Sequence, residues 1–327
     1  MKAVVVTALG GPEVLQWEER PRPDVGPRDV LIRVMATSVN FADIKAREGR
    51  YHGASLPPFI PGLDAAGTVE QVGSQVTGLA PGMRVIAFPS GGSYAEWVVA
   101  PDALVFPIPD SVDWDVAAAL PIVGLTAYKL LHDIARMESG ERVLIHAAAG
   151  GIGTTAIQFA RLMGAAQIIG TVSREEKKAI ARSLGADAVI NYAEEQDFSA
   201  VVNELTEGRG VDVVLDSIGG TVSEQSLTCL APFGRLVHFG SASGQPGQFR
   251  VGDLHASCRA VLGFSLGTAR AQRPYLLKPA ADAVLDAVAT GGVSMQIGAR
   301  YPLREAAAAH RWMESRASTG KIILQVG

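Results

Sequence analysis

The stretch Val143-Leu144-Ile145-His146-Ala147-Ala148-Ala149-Gly150-Gly151-Ile152-Gly153 decides the fold. Three aliphatic residues in a row predict a short buried strand, the small residues after them a tight turn, and residues 154–162 a helix. In the frame G-x-G-x-x-G the key positions are Ala148, Gly150 and Gly153, so alanine stands at the first. A strand ending in such a turn lets the backbone approach a pyrophosphate. The helix behind it offers unsatisfied N–H donors and a partial positive charge. A plain tight turn would use the same glycines. The strand before and the helix after are the context that predicts a dinucleotide site on Ala149, Gly150, Gly151, Ile152 and Gly153.

Working outward, the chain after residue 121 alternates strand and helix. A helix is expected over 124–136, and strands near 143–146, 168–172, 188–190, 213–216, 235–239 and 260–264. Continuous Val/Ile/Leu strands between helices predict a parallel sheet covered on both faces. Before residue 121 the texture differs. Short β-rich runs at 2–7, 30–39, 67–72, 84–88 and 95–99 are separated by Pro57-Pro58, Pro61-Gly62 and Pro81-Gly82, which predicts a rolled, barrel-like domain. The tail carries a helix over 276–289, a β-like segment, a helix over 305–315 and an end from Lys321 through Ile322-Ile323-Leu324. It has no further βα unit, so it is expected to return to the first domain. The fold class is α/β: a β-rich domain from 1–121 and 265–327, and a doubly wound parallel-sheet domain from 122–264.

Composition narrows the function classes. Of 327 residues, 48% are hydrophobic and 19% charged, enough to bury two cores. The net charge of −4 gives no footprint for nucleic acid. Two cysteines, Cys229 and Cys258, exclude a disulfide scaffold and a four-cysteine zinc site. The N-terminus does not read as a signal peptide. The most apolar region, 116–131, is interrupted by Pro121 and Gly124 and carries Lys129, so no membrane helix is expected. The default expectation is a soluble cytoplasmic protein.

The end of the second parallel strand selects the nucleotide. An NAD site usually places a carboxylate about 20 residues on, against the ribose 2′-hydroxyl. Here residues 168–172 run into Ser173 and Arg174, with Lys177 and Lys178 beyond. A hydroxyl and cations suit a 2′-phosphate, so Ser173, Arg174 and Lys177 predict NADPH. Ser173 and Glu176 also fit a capping box, and the lysines fit a solvated helix face.

Many further motifs run in order along nearly the whole chain. They are Lys2-Ala3, Gly10-Gly11-Pro12-Glu13-Val14-Leu15, Ser38-Val39-Asn40-Phe41 with Asp43, Pro61-Gly62-Leu63-Asp64 with Ala66-Gly67, and Gly124 with Thr126 and Tyr128. After the glycine turn come Leu184-Gly185-Ala186-Asp187 with Ile190-Asn191-Tyr192, His310 with Met313-Glu314, and Thr319-Gly320-Lys321-Ile322. On these residues the chain resembles the zinc-independent quinone oxidoreductases, the zeta-crystallin-like branch of the medium-chain dehydrogenase/reductase superfamily.

The resemblance implies a GroES-like catalytic domain, a Rossmann NADP-binding domain, a ligand cleft between them and a homodimer. Zinc-dependent relatives hold their metal with Cys where this chain has Asn40, and with Gly-His-Glu where it has Gly62-Leu63-Asp64; leucine ligates nothing, so no metal is expected. What remains is direct hydride donation from NADPH to a small electron-poor acceptor, a quinone or an α,β-unsaturated carbonyl. The resulting oxyanion needs hydrogen-bond donors. By likeness, Asn40 and Tyr51 are the candidate donors. Asn40 could equally hold a loop and Tyr51 form pocket wall, while Asp43 is expected to fix the loop. The same likeness implies Thr126 near the nicotinamide ribose and Tyr192 near the adenosine. Ser217, Phe239, Gly240 and Ser241 fall at strand ends, where open α/β sheets bind ligands. The acceptor pocket is expected from loops around 40–59, 88–92 and 262–267. His146 and His310 read as structural, as does the pair Trp312-Met313. Within the enzyme class, an enoyl-thioester or 2-alkenal reductase is the alternative. A nucleotide-binding module with a structural or regulatory role is the non-enzyme one; RNA association, which it would include, is argued against by the net charge of −4 and the lack of a basic stripe.

Overall fold

The computed structural model describes residues 1–51, 55–195 and 197–327. The chain divides into two compact units. One comprises Met1–Leu125, Ala269–Gly291 and Met295–Gly327; the other comprises Thr126–Thr268 with Gly292–Ser294.

The second unit is a six-stranded parallel sheet. Its order is Ala188–Asn191, Gln167–Val172, Arg142–Ile145, Val211–Asp216, Leu230–His238, Ala260–Gly263. All six residues of Val211–Asp216 are buried, as expected of a central strand covered on both faces. One face packs Leu144, Ile169, Ile190, Val214 and Leu236 against Phe198 and Val202 of the helix Phe198–Leu205. Each expected strand of this unit is present, displaced by a residue or two at its ends, except that the strand expected over 235–239 starts five residues earlier, at Leu230.

In the first unit a seven-stranded sheet is built around the long strand Asp29–Val39. This strand pairs antiparallel with Ala65–Val72 along one edge, and with Trp97–Pro101 and Lys321–Gln325 along the other. The tail strand therefore belongs to the same sheet as the N-terminal β segments. Val30, Ile32, Val34, Val69, Val85 and Val98 fill its core. A second apolar cluster joins Val4, Val6, Val39, Ile322 and Leu324 to Tyr94 and to Ala306 and Ala309 of the helix Ala306–Glu314. The strands Leu15–Glu19 and Val105–Pro107 were not visible in the sequence.

Two expectations need correction. Pro121 does not break the apolar region: one helix, Trp114–Lys129, runs through it and continues as a π-turn over Leu130–Ile134. A proline inside a helix gives up one backbone bond, at about 3 kcal/mol. Burial of Ala117, Ala118, Ala119, Leu120, Val123 and Leu125 around it outweighs that loss. Trp114–Ile134 is thus long and apolar enough to cross a membrane by length and composition, but 72% of its apolar window is buried inside the protein. Trp312 is 40% exposed rather than core, and of the pair only Met313 packs on the apolar cluster.

Candidate active site

The glycine turn lies at the end of Arg142–Ile145, and the helix Gly151–Leu162 starts from it with Gly150 as N-cap. No side chain among the described residues caps this helix. Thr154 N is bonded back to Gly150 O, which leaves the amides before it at the open helix start. Glycine at 153 is a steric requirement, because a Cβ there would sit 2.3 Å from Ala147 O and 2.7 Å from Ala148 Cα. Alanine at 148 has an equally local reason. Its methyl group fills space above Gly170 of the neighbouring strand, where a Cβ on residue 170 would lie 2.7 Å from it. The small residue has moved from the turn to the strand beside it.

At the tip of Gln167–Val172, Ser173 precedes a helical turn Glu175–Lys177 whose N-cap is Arg174, with no side-chain cap bond. The capping box expected from Ser173 and Glu176 is therefore absent, because the turn starts one residue later than that box requires. Arg174 pairs with Glu176 at 3.6 Å, and Lys178 with Glu175 at 2.7 Å. Burial lowers the Lys177 pKa, and the charge of Arg174 beside it lowers it further. The two cations are thus close enough for one to disfavour the charge of the other. Tyr192 follows the adjacent strand Ala188–Asn191 and is tied to the sheet by Tyr192 N donating to Val172 O at 3.0 Å. Thr126 is buried in its helix.

Two strand ends further along, Asp216 organises the loops that carry Ser217 and residues 239–241. Its carboxylate accepts from Ile218 N at 2.7 Å, Gly219 N at 3.1 Å, His238 Nδ1 at 3.2 Å and the Ser223 hydroxyl. Burial works against its charge, but the bonds from His238, Ser223 and Ile218 prevail and hold its pKa down at about 2. Ala242 N donates to Ser217 O at 2.9 Å, which joins the two loops. His146, as expected, is a satisfied core residue: Thr171 Oγ1 and Ser226 Oγ sit 2.8 Å from its two ring nitrogens.

In the first unit Asn40 lies between the strand Asp29–Val39 and the helix Phe41–Arg47. Its side chain is engaged on both sides. Lys321 Nζ donates to Asn40 Oδ1 at 2.7 Å and to Val39 O at 3.1 Å. Asn40 Nδ2 donates to Asp64 Oδ2 at 3.2 Å and, at a long 3.5 Å, to Ser38 O. Ser38 Oγ holds the other oxygen of Asp64 at 2.7 Å. Gly62, at φ 104°, must be glycine, since a Cβ there would lie 2.2 Å from Ser93 Oγ and 2.6 Å from the Tyr94 ring. Asp43 Oδ2 accepts from Asn40 N at 2.8 Å and so fixes the loop.

Charge is concentrated here. Burial and the repulsion of Asp64 push the Asp43 pKa up to about 7, against the pull of the Asn40 amide and Lys321. Burial likewise lowers Lys321 in spite of both carboxylates. Tyr94 Oη faces Asp43 Oδ2 at 3.5 Å and His310 Nε2 at 3.0 Å. The guanidinium of Arg47 only donates, so its Nη1, 3.2 Å from His310 Nδ1, assigns the imidazole proton to Nε2. His310 is thereby a neutral link between Arg47 and Tyr94.

Tyr51 ends the described segment 1–51, and part of the expected 40–59 pocket loop, residues 52–54, lies outside the described residues. Lys321, Asp64 and Arg270 were missed as site residues. Lys321 carried a signal, a charge opening the apolar run Ile322-Ile323-Leu324. Arg270 carried none: its helix, Leu266–Gln272, is short, and the residues it faces are distant in sequence.

Comparison with known proteins fits this geometry. Residues 26–110 match the alcohol dehydrogenase GroES-like domain and residues 151–282 the zinc-binding dehydrogenase family. The chain is 38% identical to a quinone oxidoreductase of Pseudomonas aeruginosa over 99% of both chains. It is 40% identical to a 2-haloacrylate reductase of a Burkholderia species over 98% of both. An Escherichia coli quinone oxidoreductase solved with NADPH superposes with a TM-score of 0.91 at 34% identity, covering 99% of this chain and 100% of that one. By sequence and by fold, the chain belongs to the quinone oxidoreductase branch of the medium-chain dehydrogenase/reductase superfamily.

Proposed function

We propose that the protein is an NADPH-dependent, metal-free reductase of quinones and other activated carbonyl or alkene acceptors. The observation that carries this reading is the glycine turn with its uncapped helix start, next to a strand whose end leads into the cations at 174 and 177. That an E. coli relative was solved with NADPH supports this choice of nucleotide. The pyrophosphate belongs on 149–153, the 2′-phosphate on Ser173, Arg174 and Lys177, and Tyr192 beside the adenosine. Thr126, Ser217 and the 239–241 turn hold the nicotinamide end. In this reading the unit Thr126–Thr268 with Gly292–Ser294 is the NADP-binding domain and the other unit the catalytic one.

Bound there, the cofactor supplies a hydride. The chain's part is to orient the two reactants and stabilise the oxyanion that results. Asn40 serves through Nδ2, whose hydrogen toward Ser38 O is the weakly held one, and Tyr51 through its phenol. Zinc does not fit the place its relatives use. Leu63 is a hydrocarbon, and Asn40 Oδ1 already accepts from the Lys321 ammonium, which a cation would have to displace. The 2-haloacrylate reductase relative favours activated alkenes as a second acceptor class. We also read the protein as a cytoplasmic homodimer. Ala260–Gly263 is the end strand of its sheet and Cys258 an exposed free thiol, which support pairing of copies and a reducing compartment.

The test is turnover and metal content together. Purified protein should oxidise NADPH with a benzoquinone or an enal, contain well under one zinc per chain, and keep its rate in chelator. Activity that returns only with added zinc would overturn the reading. Tight NADPH binding without turnover of any acceptor would favour the binding-module alternative.

A further inference from the structure

Arg270 is a half-buried cation that no group among the described residues neutralises at contact distance. Its Nε is buried and has no hydrogen-bond partner there. The guanidinium lies over the Phe88 ring, 4.8 Å from the centroid. Asp64, Tyr51 and Asp43 are the groups whose charges it feels, in that order. Neither carboxylate pairs with it at salt-bridge distance among the described residues, because each is committed elsewhere. Asp64 is held by Ser38 and Asn40, and Asp43 by the Asn40 amide. Unpaired burial of an arginine donor is costly and rare, so the group invites a ligand as its explanation.

Charge balance points the same way. Lys321 and Arg270 bring two positive charges to this part of the unit, Asp64 one negative charge, and Asp43 is protonated for part of the time near neutrality. A planar guanidinium held against an aromatic face keeps its fork of N–H donors free at the edge, the geometry that binds a carboxylate through two parallel bonds.

We propose that Arg270 is a carboxylate receptor on the acceptor side of the site, so that the preferred acceptors are small quinones or activated alkenes carrying a carboxylate. This rests on the reductase reading above and narrows its substrate class. The carboxylate itself is bound and not transformed. In the reduction of a quinone the ring takes up the cofactor's hydride and one proton from water, a two-electron change that leaves the hydroquinone and the oxidised cofactor.

The experiment compares a benzoquinone bearing an acetate side chain with its methyl ester, using the NADPH-loaded enzyme. Wild type should favour the acid, and Arg270→Gln should lower the acid-to-ester ratio of kcat/KM by about 10- to 100-fold, the range of a lost charge-assisted pair. Arg270→Lys should fall between them, since an ammonium cannot form the paired bonds. Arg273→Gln removes an exposed charge three residues away and should leave the ratio unchanged. Equal losses on acid and ester, or a loss confined to the KM for NADPH, would overturn the proposal. A second readout does not need turnover. Calorimetry should show benzoate binding wild type at least tenfold more tightly than it binds Arg270→Gln, with benzamide indifferent to the change. If neither quinone is reduced, the reductase reading fails and the benzoate measurement still decides the receptor; equal binding of benzoate to both proteins would sink it.

Discussion

Each unit buries a polar cluster, and the two are built on opposite principles. In the nucleotide unit His146 is neutral, with a hydroxyl on each ring nitrogen, and Asp216 is anionic but saturated by two amides, a hydroxyl and an imidazole. In the β unit Asp43, Asp64 and Lys321 crowd around Asn40, and burial disfavours the charges of Asp43 and Lys321. The first arrangement braces loops and carries no net obligation to change. The second holds charge that is only partly compensated, beside the residues assigned to the acceptor. Saturated polar groups thus go with scaffolding here, and the strained charges lie on the side that the proposed function makes reactive.

The largest effect expected is on acid stability, and it draws one histidine from each unit. Burial holds the His146 pKa at about 4 and, with the Arg47 charge, His310 at about 3, against 6.5 for a free imidazole. Both are neutral in the folded protein while the unfolded chain takes up protons below pH 6.5. Stability is therefore unaffected above that pH and lost as pH falls toward 4 for His146 and toward 3 for His310. Each tenfold change in proton affinity is worth about 1.4 kcal/mol, so the losses are on the order of 3 and 5 kcal/mol. Urea unfolding followed between pH 7 and 4 should show the decline, and His146→Gln should remove its own share of it. An unaltered acid slope in that variant would mean that His146 takes up its proton in the fold as readily as in the unfolded chain.

Next in size is the removal of the ammonium from the β-unit cluster. Lys321→Met keeps the length of the side chain but leaves Asp64 and Asp43 buried without it and Asn40 Oδ1 without its donor. A loss of about 3–5 kcal/mol is expected at pH 8. Asp43 sharpens this. Its raised pKa means that the folded state binds the extra proton between about pH 4 and pH 7, so stability falls as pH rises through that window. The Lys321→Met penalty should accordingly shrink at pH 6, and Asp43→Asn should recover part of it at pH 8. Independent, additive losses in the double variant would show that the two groups do not interact.

The two clusters also differ in how far they could be read from the chain. The glycine turn is local: a strand, three small residues and a helix start within about 20 positions carry its whole geometry, and only the trade of Ala148 against Gly170 lay beyond the motif. The succession of parallel strands was legible for the same reason, since burial on both faces leaves unbroken aliphatic runs. Lys321 and Asn40 are 281 positions apart, and they meet because the tail strand pairs with Asp29–Val39. Only the return of the tail to the first domain was visible, not which side chains it would bring together. Pro121 misled because propensity is a weak prior and burial on all sides of a helix overrides it. Arg270 had no pattern at all around it, for Asp43, Asp64 and Phe88 come to it from separate stretches of the chain.

The smallest of these effects tests whether the nucleotide unit's own cations bind rather than merely decorate a helix start. The charge of Arg174 disfavours that of Lys177, and Arg174 meets Glu176 at 3.6 Å, with 44% of the arginine side chain exposed. An exposed pair of that kind contributes little to stability. Arg174→Ala should therefore leave the melting temperature nearly unchanged. A 2′-phosphate, by contrast, would lose a charge-assisted bond worth about 1.5–3 kcal/mol. NADPH should then bind about 10- to 100-fold more weakly while NADH, which has no such phosphate, is indifferent. If both nucleotides weaken alike, the arginine shapes the turn instead of reading the phosphate, and the nucleotide unit would owe its affinity to the glycine turn alone.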